Sequence, residues 1–98
     1  MKVGLLMVFQ NFMDQISDRE AYERDLALAD LAEPLGFDTL GGVEHHFSNY
    51  AMMADNVEFL AYMAGRTKTI GLLTGAVILP WNDPLRVAEK MILLDYLS

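Results

Sequence analysis

The chain contains no cysteine, which excludes disulfide bonds, thiolate catalysis, iron–sulfur clusters and cysteine-based zinc sites. Basic residues are also scarce: 7 Lys and Arg stand against 14 Asp and Glu, and the formal net charge is −7. Nucleic acids and anionic membranes are bound through basic surfaces, so we expect neither as a partner. No apolar run reaches the ~18 residues of a membrane span, and we expect a cytoplasmic protein.

The length and composition suit one small domain, because 53% of the 98 residues are hydrophobic and no linker or low-complexity tract divides them. The segment from Pro84 to Ser98 still shows helical periodicity where the sequence stops, with no Gly or Asn to end the helix. We therefore expect residues 1–98 to be the N-terminal part of a longer, truncated domain without an internal boundary.

Three apolar segments predict β-strands: Val3 to Phe9, Phe37 to Val43 and Thr69 to Leu79. The first is continuously apolar rather than alternating, which is typical of a strand covered on both faces in a parallel sheet. The adjacent Gly41 and Gly42 weaken the second strand unless something approaches its backbone closely. A flat ligand and a tightly packed helix are the two alternatives.

Three helices are predicted, caps included: Ser17 to Leu35, Asp55 to Gly65 and Asp83 to Ser98. Each begins with a Ser or Asp that can accept hydrogen bonds from the first turn. Pro34 disfavours helical geometry near the end of the first helix, so we expect its last turn to be distorted before Gly36 closes it.

The predicted order is βαβαβα, and its unit of about 35 to 45 residues suits a TIM (β/α)₈ barrel. Right-handed crossovers place the loops after the three strands at one rim, namely Gln10 with Asn11, residues 44–50 and residues 74–82. Three parallel strands leave open edges and uncovered helix surface. The predicted fold class is α/β, and we expect the chain to need further units, or copies of itself, for stability.

The two histidines of the chain, His45 and His46, are adjacent where the second predicted strand ends. Imidazole titrates near neutral pH, and α/β proteins keep their chemistry at the carboxyl ends of strands. Neighbours on an extended strand point to opposite sides, so the two rings are badly placed to share a metal, and we predict no metal site. The alternative to a shared metal is that one ring reaches the rim while the other packs or hydrogen-bonds beneath it. For either histidine alone, a structural role and a catalytic role both stay open.

A second candidate is Thr74-Gly75-Ala76, a run of small residues on a strand otherwise built of Leu, Ile and Val. Such a notch lets a planar ring lie against the backbone, while a bulge or a packing requirement explains it equally well. The sequence contains no Walker loop, G-x-G-x-x-G fingerprint, nucleophile elbow or H-E-x-x-H motif.

Four motifs together resemble the N-terminal part of the bacterial luciferase-like flavin-dependent monooxygenases: Glu44–Phe47, Thr74–Pro80, Asp83–Glu89 and Leu94–Ser98. The resemblance covers all 98 residues in order. It implies a TIM (β/α)₈ barrel of which this chain forms roughly the first three units. It also implies that reduced FMN and dioxygen oxygenate a small organic substrate such as an aldehyde, with a separate flavin reductase as partner. We further expect a homo-oligomer.

The resemblance also implies roles for individual residues. The catalytic histidine of the family falls on His45, with His46 beside it, and we count Glu44, Thr74, Gly75 and Ala76 as cofactor-binding. An unusual cis peptide of the family falls on the bond between Gly75 and Ala76, which we predict to be cis, although luciferase has alanine in place of this glycine. Barrel phosphate sites usually follow strands 7 and 8, so the isolated chain is expected to bind FMN weakly or not at all.

Three alternatives stay open at this point. Some barrels of the same superfamily use deazaflavin F420 for hydride transfer. The chain could instead be a non-catalytic fragment that self-assembles through open sheet edges. The third alternative is a metal-dependent hydrolase using Glu44 and the two histidines.

Overall fold

Parallel strands alternate with helices in the computed structural model, which describes residues 1–98. The strands are β1 (Gly4–Met7), β2 (Thr39–Gly42) and β3 (Gly71–Thr74), in the order β1-β2-β3. The helices are α1 (Asp18–Ala32), α2 (Asn56–Ala64) and α3 (Pro84–Leu97), with short 3₁₀ turns at Phe12–Asp14 and Leu79–Trp81. Both strand pairs are parallel, so the predicted α/β class and the βαβαβα order are confirmed.

The helix starts agree with the capping residues predicted from the sequence. Ser17 and Glu20 form a complete capping box at α1. Asp55 accepts hydrogen bonds from the second and third amides of α2, and Asp83 does the same at α3. These side chains satisfy amides that have no partner within the helix, which explains why each helix begins where it does.

The first helix ends earlier than predicted, at Ala32 rather than Leu35. Pro34 has no amide proton and disfavours helical geometry in the residue before it, so the regular helix stops ahead of it. Gly36 then turns the chain towards β2 with a φ of +84°, a conformation that glycine adopts without strain.

One face of the sheet is covered by the helices. Leu40 is fully buried there and Met7 is 4% exposed. A Cβ atom at Gly42, in register with Met7, would lie 2.5 Å from Met53 Sδ and 3.0 Å from Phe59 Cδ1. Glycine is therefore required at position 42 because Met53 and Phe59 pack closely against it. Of the two explanations for the glycine pair, a flat ligand or a tightly packed helix, the structure supports the helix at Gly42.

The opposite face of the sheet, here called the open face, is not covered by any helix. Its side chains Leu6 and Leu73 are 47% and 50% exposed. A Cβ atom at Gly41 would lie 3.0 Å from Leu6 Cδ1, and one at Gly75 would lie 2.9 Å from the same atom. The open face is thus a flat apolar surface on which two glycines make room for one leucine.

Glu33, just after α1, ties that helix to the start of β3. Its carboxylate accepts hydrogen bonds from the backbone amides of Thr69, Lys68 and Ile70, the last two at 2.9 Å. These bonds, led by the one from Thr69, lower the pKa of Glu33 to about 2. This contact lies at the amino end of the sheet, away from the two histidines, so we assign it to stability.

None of the helices has the length and apolar character needed to span a bilayer.

Candidate functional site at the carboxyl edge of the sheet

The loops after the three strands meet at one edge, as the sequence predicted. Asn11 donates its backbone amide to the carbonyl of Asn49 at 3.0 Å, which joins the loops after β1 and β2. The loops after β2 and β3 are joined through Glu44, which accepts hydrogen bonds from the Ile78 amide at 2.8 Å and from Asn82 Nδ2 at 3.0 Å. The loops after all three strands therefore share one rim.

Glu44 is the centre of this arrangement. Its side chain is buried, with the residue 5% exposed, and Oε1 lies 2.8 Å from Nε2 of His46. Burial raises the pKa of Glu44, but hydrogen bonds from Ile78, His46 and Asn82 outweigh burial and hold the pKa below its ordinary value. An ionised carboxylate only accepts, so it selects the imidazole form that carries a proton on Nε2.

The two histidines have different surroundings, as expected from their adjacent positions. His46 is stacked on Trp81, with ring centroids 4.6 Å apart, and its side chain is 20% exposed. His45 is exposed, donates its backbone amide to Met53, and meets the ring of Tyr50 edge-on at 5.9 Å. One ring reaches the rim while the other is held beneath it, so that prediction is confirmed.

The Thr74–Ala76 segment lies at the same edge, directly after β3. The peptide bond between Gly75 and Ala76 is cis, as predicted. Gly75 belongs to the open face, whereas Thr74 is in register with Gly42 and shares the helix-covered face. The ring contacts of His45 involve Tyr50 rather than this segment. Cofactor contacts of Glu44, Thr74, Gly75 and Ala76 stay predictions.

Asn56 is a polar residue of the site that the sequence reasoning missed. It lies in the first turn of α2, is 1% exposed, and donates through Nδ2 to the carbonyls of Gly42 at 3.0 Å and Ala76 at 2.9 Å. A signal was present, because positions 56, 60 and 63 share the buried face of α2 and only the first is polar. A polar residue in an apolar stripe indicates a buried hydrogen-bonding role.

Two aromatic residues at this edge adopt backbone angles that are unusual for residues with a side chain. Phe9, after β1, has a φ of +55°, and Phe47, beside the histidines, has a φ of +56°. Such conformations cost on the order of 1–3 kcal/mol each and cluster at functional sites. No group of three His, Asp or Glu side chains converges in the structure.

The family model of the luciferase-like monooxygenases matches residues 1–98. The chain belongs to the luciferase-like monooxygenase family. The resemblance inferred from the four motifs is therefore confirmed.

Curated members of the luciferase-like monooxygenase family show the same relationship. The chain is 35% identical over 97 residues to the alkanal monooxygenase alpha chain of Photorhabdus laumondii, covering 94% of this chain and 27% of that protein. It is 38% identical over 78 residues to limonene 1,2-monooxygenase of Rhodococcus erythropolis, covering 80% of this chain and 20% of that protein. The chain thus spans about a quarter of the length of these relatives.

Solved structures of monooxygenases have the same fold over this length. A monooxygenase from Streptomyces bottropensis superimposes with a TM-score of 0.87 and 38% identity, covering 100% of this chain and 30% of that one. The oxygenating constituent of 3,6-diketocamphane monooxygenase from Pseudomonas putida, solved in complex with FMN, has a TM-score of 0.84. It is 23% identical and covers 99% of this chain and 26% of that one, so it shows the fold alone.

Proposed function

We propose that this chain forms part of a flavin-dependent monooxygenase that uses reduced FMN and dioxygen to oxygenate a small organic substrate such as an aldehyde. The observation that carries the proposal is the 35% identity to an alkanal monooxygenase alpha chain over 97 residues. That relative's name states an alkanal substrate. The choice of FMN is part of the proposal, and a solved monooxygenase with the same fold was determined in complex with FMN. We also propose that a separate flavin reductase supplies the reduced FMN and that the enzyme is a homo-oligomer.

Residues 1–98 supply, in this proposal, the first three units of a (β/α)₈ barrel with no internal boundary, and the open face lines the barrel interior. The open face fits a flavin ring, because it is flat at Gly41 and Gly75 and apolar at Leu6 and Leu73. Bound there, the flavin supplies the redox chemistry with dioxygen, and the protein residues bind, orient and exchange protons.

We place the FMN phosphate outside these residues. The arginines of the first turns of α1 and α3, Arg19 and Arg86, are each paired with a glutamate of their own helix. Arg24 is paired with Asp25. Because barrel phosphate sites usually follow strands 7 and 8, we expect the chain alone to be inactive and to bind FMN weakly or not at all.

His45 is proposed as the catalytic residue, donating or accepting a proton at the rim, where its exposed ring can reach a bound substrate. His46 is proposed to assist as a fixed neighbour, since Glu44 and Trp81 hold its ring. The backbone of Thr74–Ala76 is proposed to support the flavin ring from the strand side. A positioned proton-transfer group typically contributes about 10²–10⁴-fold to the rate.

Replacing His45 with Ala in the full-length enzyme tests this assignment. Turnover is expected to fall by about 10²–10⁴-fold while the affinity for FMN changes little, because the ring moves protons rather than binding the flavin. Ser48→Ala is a suitable control, since its hydroxyl accepts only from the nearby Tyr50 amide in the same exposed loop. Unchanged turnover in the His45 variant would defeat the proposed role.

Two other hypotheses are separated by simple measurements. Reconstitution with FMN or with F420, followed by absorbance, identifies the cofactor, and uptake of F420 alone would favour hydride transfer over oxygenation.

The open face and the exposed residues of α3, Leu85 and Ile92 among them, also fit a self-assembling, non-catalytic fragment. Light scattering combined with an FMN titration distinguishes it, since large assemblies without flavin uptake would support that hypothesis.

A further inference from the structure

The chain after β3 is held by buried side chains from outside its own strand. Regular pairing with β2 ends at Thr74, and one further backbone bond joins the Gly75 amide to the Gly42 carbonyl at 2.9 Å. Beyond that point Asn56 Nδ2 donates to the Ala76 carbonyl at 2.9 Å. Glu44 Oε2 accepts from the Ile78 amide at 2.8 Å, so the segment Gly75–Ile78 has a side-chain partner at either end.

The side-chain amide of Asn56 can link β2 to the segment after β3, because its two protons have two separate acceptors. One bond goes to Gly42, at the end of β2, and the other to Ala76, in the segment after β3. The Gly42 carbonyl therefore accepts from both the Gly75 amide and Asn56, and the three groups form one connected network. At 1% exposure, no water can replace Asn56 without rearrangement.

The elements that carry the two side chains limit where they can move. Asn56 begins α2, whose buried face also includes Leu60 and Met63 and whose first turn is capped by Asp55. Glu44 is restrained by three donors on its carboxylate. The segment between them is thus positioned by α2 on one side and by the β2 loop on the other.

We propose that Asn56 is a positioning residue for the flavin, acting with Glu44 to fix the Gly75–Ile78 segment in the geometry on which cofactor affinity depends. This inference rests on the proposed function, because it assumes that the flavin ring lies against this segment. Asn56 itself touches the backbone carbonyls and not the cofactor. Its contribution is to hold the surface that the ring meets.

Asn56→Asp in the full-length enzyme is the principal test. The substitution keeps the size of the side chain but sets an acceptor oxygen against two carbonyls that need a donor. We expect the affinity for FMN, measured by fluorescence titration, to fall by about tenfold or more, as the loss of two buried hydrogen bonds predicts. Asn56→Ala removes the amide without adding charge. It is the variant to test if Asn56→Asp does not fold.

Met63→Ala is the matched control, because Met63 is fully buried on the same helix and lies about two turns beyond Asn56. It is expected to lower thermal stability at least as much as the Asn56 variants while changing FMN affinity by about twofold or less. Hydrogen–deuterium exchange over residues 71–82 gives a second readout. Exchange at the Gly75 and Ile78 amides should accelerate in the Asn56 variants and not in the control.

The possible outcomes distinguish failure of the positioning role of Asn56 from failure of the proposed function. Loss of FMN affinity with faster local exchange, absent from the Met63 control, supports the positioning role. A folded Asn56 variant with unchanged FMN affinity overturns it. If the unaltered enzyme takes up no FMN, the proposed function fails, and with it the cofactor part of the inference. Hydrogen–deuterium exchange in the cofactor-free protein then still decides whether Asn56 holds the Gly75–Ile78 segment. An unchanged exchange rate in the Asn56 variants would refute that structural role as well.

Discussion

Replacing Gly42 with Ala tests whether this glycine is required by packing. The added Cβ would lie 2.5 Å from Met53 Sδ and 3.0 Å from Phe59 Cδ1. Unstrained contacts between such atoms are about 3.5–4.0 Å, so the neighbouring side chains must move by roughly 1 Å. Met53 is 4% exposed and packs within the main core, which leaves it little room to move.

The expected cost follows from two opposing effects. Overpacking a core typically destabilises by about 1–3 kcal/mol. Replacing glycine by alanine at a compatible backbone position restores about 0.4–1 kcal/mol by restricting the unfolded chain. At the midpoints of these ranges, we therefore expect Gly42→Ala to lower the free energy of unfolding by about 1.3 kcal/mol. Urea denaturation of the full-length protein measures this as a lower transition midpoint.

Gly65→Ala is the matched control for this substitution. Gly65 has a φ of −72°, and the nearest atom to an added Cβ is the Tyr62 carbonyl oxygen at 3.6 Å, an ordinary contact. The same chemical change should therefore be neutral or stabilise by about 0.4–1 kcal/mol. If both variants shift the midpoint in the same direction, packing around Met53 does not explain the glycine at position 42.

Glu33→Gln is expected to flatten the acid side of the stability curve. Glu33 has a pKa of about 2 when folded and an ordinary value of 4.5, so its stabilisation is complete above about pH 4.5 and is lost as the pH falls towards 2. Urea midpoints between about pH 5 and pH 2.5 measure the difference, and equal slopes for both proteins would contradict it. Asp55→Ala is expected to cost about 1–2 kcal/mol, because it removes the α2 cap and the partner of Lys90 together. Asp55→Asn should cost about 0.2–1 kcal/mol, since it keeps a capping oxygen, and equal thermal losses in the two variants would exclude a capping role.

The helices could be predicted closely from the sequence because their starts are local features. Ser17, Asp55 and Asp83 each cap the helix that immediately follows, so neighbouring residues carry the information. The strand ends were predicted less well. The third was expected to run to Leu79 but ends at Thr74, since apolar composition does not reveal where pairing with the next strand stops.

The candidate site was predicted in position but not in its connections. Adjacency alone indicated that His45 and His46 would face different surroundings. The link from Glu44 to Ile78 spans 34 positions, and the bond from Asn56 to Ala76 spans 20, so neither could be derived from local patterns. Such contacts depend on how α2 packs on the sheet, which is a tertiary property.

The contact between Trp81 and His46 gives the protein a built-in optical reporter. Trp81 is the single tryptophan of the chain, and its indole is stacked on the imidazole of His46 with ring centroids 4.6 Å apart. In a variant without tryptophan elsewhere, a change in the indole fluorescence would report that this stacking at the rim has been lost. The same indole offers a label-free test for binding of the flavin proposed above, through energy transfer from the indole to the isoalloxazine ring.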